Sequence, residues 1–271
     1  MVLAVAPTCP LVLSLFPGIG LLDMAFEAEG FCVVRGPDLL WGGDIRRFHP
    51  PAGKFDGVIG GPPCQAFSPL RKLVEHGNLP VADNLIPEYE RCVAEVAPAW
   101  FVMENVPGAP LPEVAGYIVK DQLVRDVCVG GDTNRLRRFS FGTVEGLSLD
   151  IEWAALHWVD PAPTVLASGG DAGGVKRARG VRKWRKGASA MGYKTRGVWD
   201  TNRRLQGLPD DFLRHAPFTV AGKIHAVGNG VPLPMGRAIA KAVRRALATP
   251  DHAEPGMPAV ARPGGPVGSE R

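Results

Sequence analysis

The first 22 residues hold no charged side chain, and no cation appears before Arg35. That argues against a secretory signal, which needs a basic start ahead of its apolar run. The same stretch cannot be a membrane span, because Pro7, Pro10 and Pro17 interrupt it where about twenty unbroken apolar residues are needed. There is also no CxxC pair. Cys9, Cys32, Cys64, Cys92 and Cys128 are odd in number and irregularly spaced, which suits neither a disulfide framework nor a zinc site and points to a reducing compartment without a bound metal. The last shortage is local: from Lys176 to Arg196 nine cations occur without one acid. The remainder carries 22 basic against 27 acidic residues, a net of −5, in a chain whose total is +4. The basic character therefore belongs to one segment, as a local contact with a polyanion requires.

What is present is enough for a substantial core: 271 residues, 45% of them hydrophobic, make one domain with a small appendage. Leu11 to Phe16 reads as a central strand that runs into Pro17-Gly18-Ile19-Gly20. The segment after it has a helix-like apolar stripe through Leu21, Leu22, Met24, Ala25 and Ala28, with Gly30 as a stop. Strand, glycine turn and helix is the arrangement in which backbone amides at a helix start face a ligand, although the third glycine of a dinucleotide fingerprint is absent. A second strand, FCVVRGPD, ends at Asp38, an acid placed to accept hydrogen bonds from ribose hydroxyls. Gly43-Asp44-Ile45 follows.

The stretch Phe55 to Ser68, FDGVIGGPPCQAFS, organises the chain. Its apolar run reads as the end of a buried strand, and Gly61-Pro62-Pro63 then denies a helix and delivers Cys64 to the rim of a sheet. A cysteine in a core strand would have no use for such neighbours. Leu85 to Val96 reads as a helix, and Ala99 to Met103 as an apolar strand that ends in Glu104-Asn105-Val106. An acid directly after a buried strand is costly to desolvate unless it is paired or used. Tyr117 to Val129 alternates as strands do, and GDTNRLRRFSFG follows. Arg204 to Phe212, RLQGLPDDF, and Gly228-Asn229-Gly230-Val231-Pro232 precede an amphipathic closing helix.

In this order FPGIG, GDI, PPCQ, ENV, RLR with RLQGLPD, and GNGV resemble the motifs of the cytosine-C5 DNA methyltransferases, over most of residues 11 to 143 and 203 to 247. The resemblance implies an α/β, Rossmann-like class I methyltransferase fold with a mostly parallel, doubly wound sheet and S-adenosylmethionine as cofactor. Phe16, Gly18, Gly20, Asp38, Asp44, Ile45, Leu85 and Asn229 would line the cofactor. Cys64 would add as a thiolate to carbon 6 of a cytosine flipped out of the duplex, making carbon 5 nucleophilic toward the methyl group. Glu104, protonated or sharing a proton with ring N3, would favour that electron shift. Arg135 and Arg137 would hold the base carbonyl or nearby phosphates and carboxylates as a pair of forks. Departures from the pattern are Thr133 where the family has glutamine, Thr201 where an acid is usual, and only a few residues between Asp38 and the next strand where the family has a longer helical segment.

On this resemblance residues 1-143 carry the catalytic and cofactor-binding part and 144-202 a much reduced target-recognition and basic region. Residues 203-248 return to complete the domain, and 249-271 form a disordered tail. PAPTVLASGG looks like the stretch that follows the recognition insert. Behind it Arg182, Lys183, Arg185 and Lys186, with Trp184 and Tyr193, suit a loop that grips phosphates; a solvated basic loop with no partner is the alternative. Gln65 and Ser68 would touch DNA beside the nucleophile. The implied protein is a cytoplasmic monomer, bacterial or phage-encoded, acting on double-stranded nucleoid DNA with a restriction endonuclease or an accessory specificity protein as partner. A relative acting on tRNA, or a degenerate DNA-binding protein without activity, remains open; the Pro-Cys-Gln form favours DNA.

Overall fold

A computed structural model describes residues 9–63, 83–154, 161–162, 164–165, 167 and 196–248. Its centre is a six-stranded sheet built from β1 (Leu11–Leu15), β2 (Cys32–Arg35), β3 (Gly57–Gly60), β4 (Trp100–Asn105), β5 (Ile118–Arg125) and β6 (Leu136–Thr143). The strand order is β2-β1-β3-β4-β6-β5. β2, β1, β3 and β4 pair in parallel, while β6 runs antiparallel to both β4 and β5. The sheet is thus mostly parallel, as expected.

Successive side chains of a strand point to opposite faces, and the apolar runs divide accordingly. Val12, Ile59, Trp100 and Val102 pack with Phe26, Met235 and Ile239. Leu13, Leu15, Val58, Phe101 and Met103 pack with Tyr89, Val93 and Val96. Helices α1 (Leu21–Ala28) and α5 (Leu233–Ala248) supply the first layer, and α2 (Ile86–Val96) supplies the second. Burial on both faces is why these strands read as continuous apolar runs rather than as an alternation. Gly57 is required on steric grounds: a Cβ there would lie 2.2 Å from the Trp100 ring, so glycine lets the indole cover the strand.

A smaller cluster joins α3 (Arg196–Leu205) and α4 (Val220–Asn229) to the start of α1 through Trp199, Leu208, Ile224, Val227 and Leu21. Inside it Gln206 donates to the Val227 carbonyl at 2.9 Å, and its own main-chain carbonyl accepts from Leu233 N at 3.0 Å. RLQGLPD therefore works as the joint between three helices.

One expectation changes. Of Tyr117 to Val129 the part Ile118–Arg125 is a strand, and Asp126–Val129 closes into a 3-10 turn. Gly130, at φ 87°, allows the reversal, and the buried Asp126 carboxylate accepts from Thr133 N and Oγ1 at 3.0 and 2.6 Å. No described helix is long and apolar enough to cross a membrane. The stretches 171–195 and 249–271, with the expected phosphate-gripping loop and tail, lie outside the described residues.

Candidate active site

β1 and β3 end in register, Leu15 beside Gly60, and β4 passes Gly60 at Met103 and runs two residues further to Asn105. The loops that follow them, Phe16–Gly20, Gly61–Pro63 and Val106–Gly108, consequently leave the sheet along one edge. Because β6 runs the other way, its first residues return to that same edge. α1, which follows β1, and α2, the next described helix after β3, pack on opposite faces of the sheet, and the carboxyl ends of strands at such a switch point are where α/β folds place their ligands.

The glycine turn is shaped by backbone conformation. Phe16, Gly18 and Gly20 all have positive φ, 55°, 56° and 81°; an aromatic residue in that region is unusual and marks a position the surroundings enforce. Gly20 caps α1 without a side-chain hydrogen bond, so the first amides of the helix are left to other partners. A Cβ on Gly18 would meet nothing within 4 Å, so the turn faces open space. Both polar groups of Gly18 are held from the segment after β2. Its N–H donates to Asp38 Oδ2 at 2.8 Å, and its carbonyl accepts from Trp41 Nε1 at 2.7 Å. Asp38 Oδ1 accepts from Leu40 N at 2.8 Å.

Beneath the turn lies a buried acid. Asp23, fully buried in the first turn of α1, accepts from Ser14 Oγ at 2.5 Å and from Arg35 Nε at 2.9 Å. Burial raises its pKa, and the Ser14 hydrogen bond and the Arg35 guanidinium draw it back down. Asp44 caps a 3-10 turn through Arg46 N at 3.1 Å, Ile45 is 3% exposed, and Leu85 caps α2 at 6% exposure. Asn229 closes α4, and its Nδ2 donates to His225 Nε2 at 3.3 Å. The next residue, Gly230, packs so tightly on Leu21 that a Cβ would lie 2.3 Å away, which sets the Asn229 turn against the start of α1. An open turn of unobstructed glycine, carboxylates beyond β2 and an amide at the other side fit a cofactor carrying an amino-acid end and a ribose.

At the end of β4, Glu104 Oε1 pairs with Arg137 Nε at 2.8 Å; the two side chains are 12% and 15% exposed. Gly61 runs alongside, where a Cβ would come within 2.9 Å of Glu104 Oε2. Asn105 fixes that neighbour: its Nδ2 donates to the Pro62 carbonyl at 3.2 Å, and its Oδ1 accepts from Val106 N at 2.8 Å. The structure thereby brings Glu104, Arg137 and the Gly61–Pro63 approach together. Cys64, Gln65, Ser68, Arg182, Lys183, Arg185 and Lys186 lie outside the described residues. The arginine pair is divided, for Arg135 is 2% exposed and turned inward. Its Nη1 donates to the carbonyls of Val165 and Gly228, each at 3.1 Å, and its Nη2 to that of Asn229 at 3.5 Å.

Sequence reasoning missed Asp23, Asn105, Trp41 and His225. Asn105 sat in plain view beside Glu104, and His225 lies one helical turn before Asn229; Asp23 and Trp41 had no signal, because each acts on a residue brought near by folding.

Residues 42–146 match the family model for C-5 cytosine-specific DNA methylases. The chain is 34% identical over 113 residues to the type II methyltransferase M.FnuDI of Fusobacterium nucleatum, covering 36% of this chain and 32% of that one. With M.XorII of Xanthomonas oryzae pv. oryzae it shares 30% identity over 206 residues, 61% of this chain and 46% of the relative. The fold superposes on the Entamoeba histolytica methyltransferase EhMeth with a TM-score of 0.56 at 13% identity, over 89% of this chain and 99% of that one. The fold is that of the Rossmann-like methyltransferases. Within that class, the family match over residues 42–146 and the type II relatives make the chain similar to the cytosine-C5 methyltransferases. The matches span a third to under half of the length of these two relatives.

Proposed function

We propose that the protein is a DNA (cytosine-5-)-methyltransferase acting on a flipped-out cytosine in double-stranded DNA. The observation that carries this reading is the Glu104–Arg137 pair beside the Gly61–Pro63 segment, which leads directly into Cys64, on the edge shared with the glycine turn. S-adenosylmethionine, when bound, supplies the electrophilic methyl group. Phe16, Gly18, Gly20, Asp38, Asp44, Ile45, Leu85 and Asn229 would hold it. Cys64 would add its thiolate to carbon 6 of the base, the carbon 5–carbon 6 pair becoming available at carbon 5 for the methyl group; loss of the carbon 5 proton to a base then expels the thiolate and restores the ring. Glu104 holds ring N3 and the exocyclic amine, and Arg137 orients the acid through its Nε, donates from Nη1 to the Leu136 carbonyl at 2.8 Å, and offers Nη2 to the base carbonyl.

Residues 1-143 and 203-248 then form the catalytic body, and 144-202 the reduced region that meets DNA. The relatives are named type II methyltransferases, which supports DNA over RNA and a restriction endonuclease or a specificity protein as partner in the cytoplasm. Incubation with methyl-labelled cofactor and either duplex DNA or tRNA decides the substrate. Label in the duplex is the expected result, and label confined to tRNA contradicts it.

A further inference from the structure

We propose that Arg135 is a positioning residue for the cofactor, acting through the main chain of Gly228 and Asn229, and that it does not contact the base. The inference rests on the cofactor reading above.

Gly228 and Asn229 are the last residues of α4, where helix carbonyls lose their intrahelical donors and the negative end of the helix dipole gathers. The planar guanidinium of Arg135 reaches both carbonyls from the entrance to β6, and Val165 O as a third. At 2% exposure the side chain is a charge committed to these groups, and removing it strands buried carbonyls without a donor.

Arg135 is itself fixed from behind. Its carbonyl accepts from Asp126 N at 2.9 Å. Asp126 holds Thr133, and Thr133 bridges in parallel to Ala162. Desolvation raises the Asp126 pKa, which the Thr133 bonds and the Arg135 charge oppose. On the other side, Asn229 leads through Gly230 to Leu21 and the start of α1. A continuous chain of packed and hydrogen-bonded groups therefore runs from the 126–135 turn to the rim of the glycine turn. Thr133, the departure from the family's glutamine, belongs to this support. Arg137, two residues along, faces Glu104 instead. The two arginines that look equivalent in sequence serve the two ligands separately.

Isothermal titration of the full chain with S-adenosylhomocysteine, at a temperature where circular dichroism shows every variant folded, tests this. Arg135→Gln should weaken binding by at least about tenfold, the cost of unpaired buried carbonyls. Arg135→Lys, which keeps the charge without the fork, should fall between it and the wild type. Arg137→Lys should bind within about twofold of the wild type, since its partner is Glu104. Val124→Ala, a cavity in the edge strand β5, is the control for reduced stability: it should lower Tm yet leave binding unchanged. The proposal is overturned if Arg135→Gln binds like the wild type, or if Val124→Ala weakens binding as much for an equal fall in Tm. If Arg135→Gln does not fold, wild-type affinity in Arg135→Lys overturns it equally. A wild type that does not bind S-adenosylhomocysteine removes the cofactor reading instead, and this inference with it.

Discussion

Glu104 and Arg137 are a nearly buried ion pair, and such a pair is far costlier to break than it was favourable to form. Glu104→Gln keeps the shape and a hydrogen-bonding oxygen but loses the acid. We expect it to slow methyl transfer by about 10²–10⁴-fold while DNA affinity stays within a few-fold; single-turnover kinetics check this, and an unchanged rate contradicts the role of the carboxyl. Cys92 behaves oppositely to a nucleophile. It is fully buried, and burial pushes its thiol up to about 11. In the native protein at pH 8 it should resist iodoacetamide while the exposed Cys9 and Cys32 react, as mass spectrometry of peptides would show. The place of Glu104 was legible because a carboxylate makes little sense at the end of an apolar strand unless it is paired or used. Asp23 was not, since its partners stand 9 and 12 residues away; Asn105 was visible beside Glu104, but the Pro62 carbonyl it holds stands 43 residues away and no local pattern links the two. Arg135 and Arg137 looked alike for the same reason: spacing says nothing of which neighbour each meets.

The strands position the site, and their packing explains residues that look featureless. Gly57 faces Trp100, itself 1% exposed, across the β3–β4 pair. Gly57→Ala would drive a methyl group into the indole and should destabilise the fold by about 1–3 kcal/mol. Urea denaturation followed by circular dichroism measures it, and a change below a few tenths would mean that the ring can move. Most elements were legible from the sequence because parallel strands buried on both faces carry long apolar runs and the helices carry stripes. The 126–129 turn was not. Val127 and Val129 resemble strand residues, and what ends the strand is a buried acid capping Thr133 and a glycine at positive φ, a tertiary arrangement that outweighs the alternation.

At the scale of the whole molecule, the proposed function has the edge that carries Glu104 and the basic segment acting together on one polyanion. Neutralising Arg182, Lys183, Arg185 and Lys186 together should lower the slope of log affinity against log salt by about 0.9 for each phosphate that is no longer neutralised, alike for all DNA sequences. Fluorescence anisotropy with duplexes of differing sequence measures the slope for the wild type and the variant. An unchanged slope would show that this segment does not touch the backbone.

The most direct test is trapping on a duplex that carries 5-fluorocytosine in place of cytosine, because the fluorine at carbon 5 cannot leave as a proton. With S-adenosylmethionine the wild type should form a protein–DNA adduct that survives denaturation, and peptide mapping should place the bond on Cys64. Cys64→Ser should form none. An adduct that persists in Cys64→Ser, or its absence from the wild type on every duplex, contradicts the account.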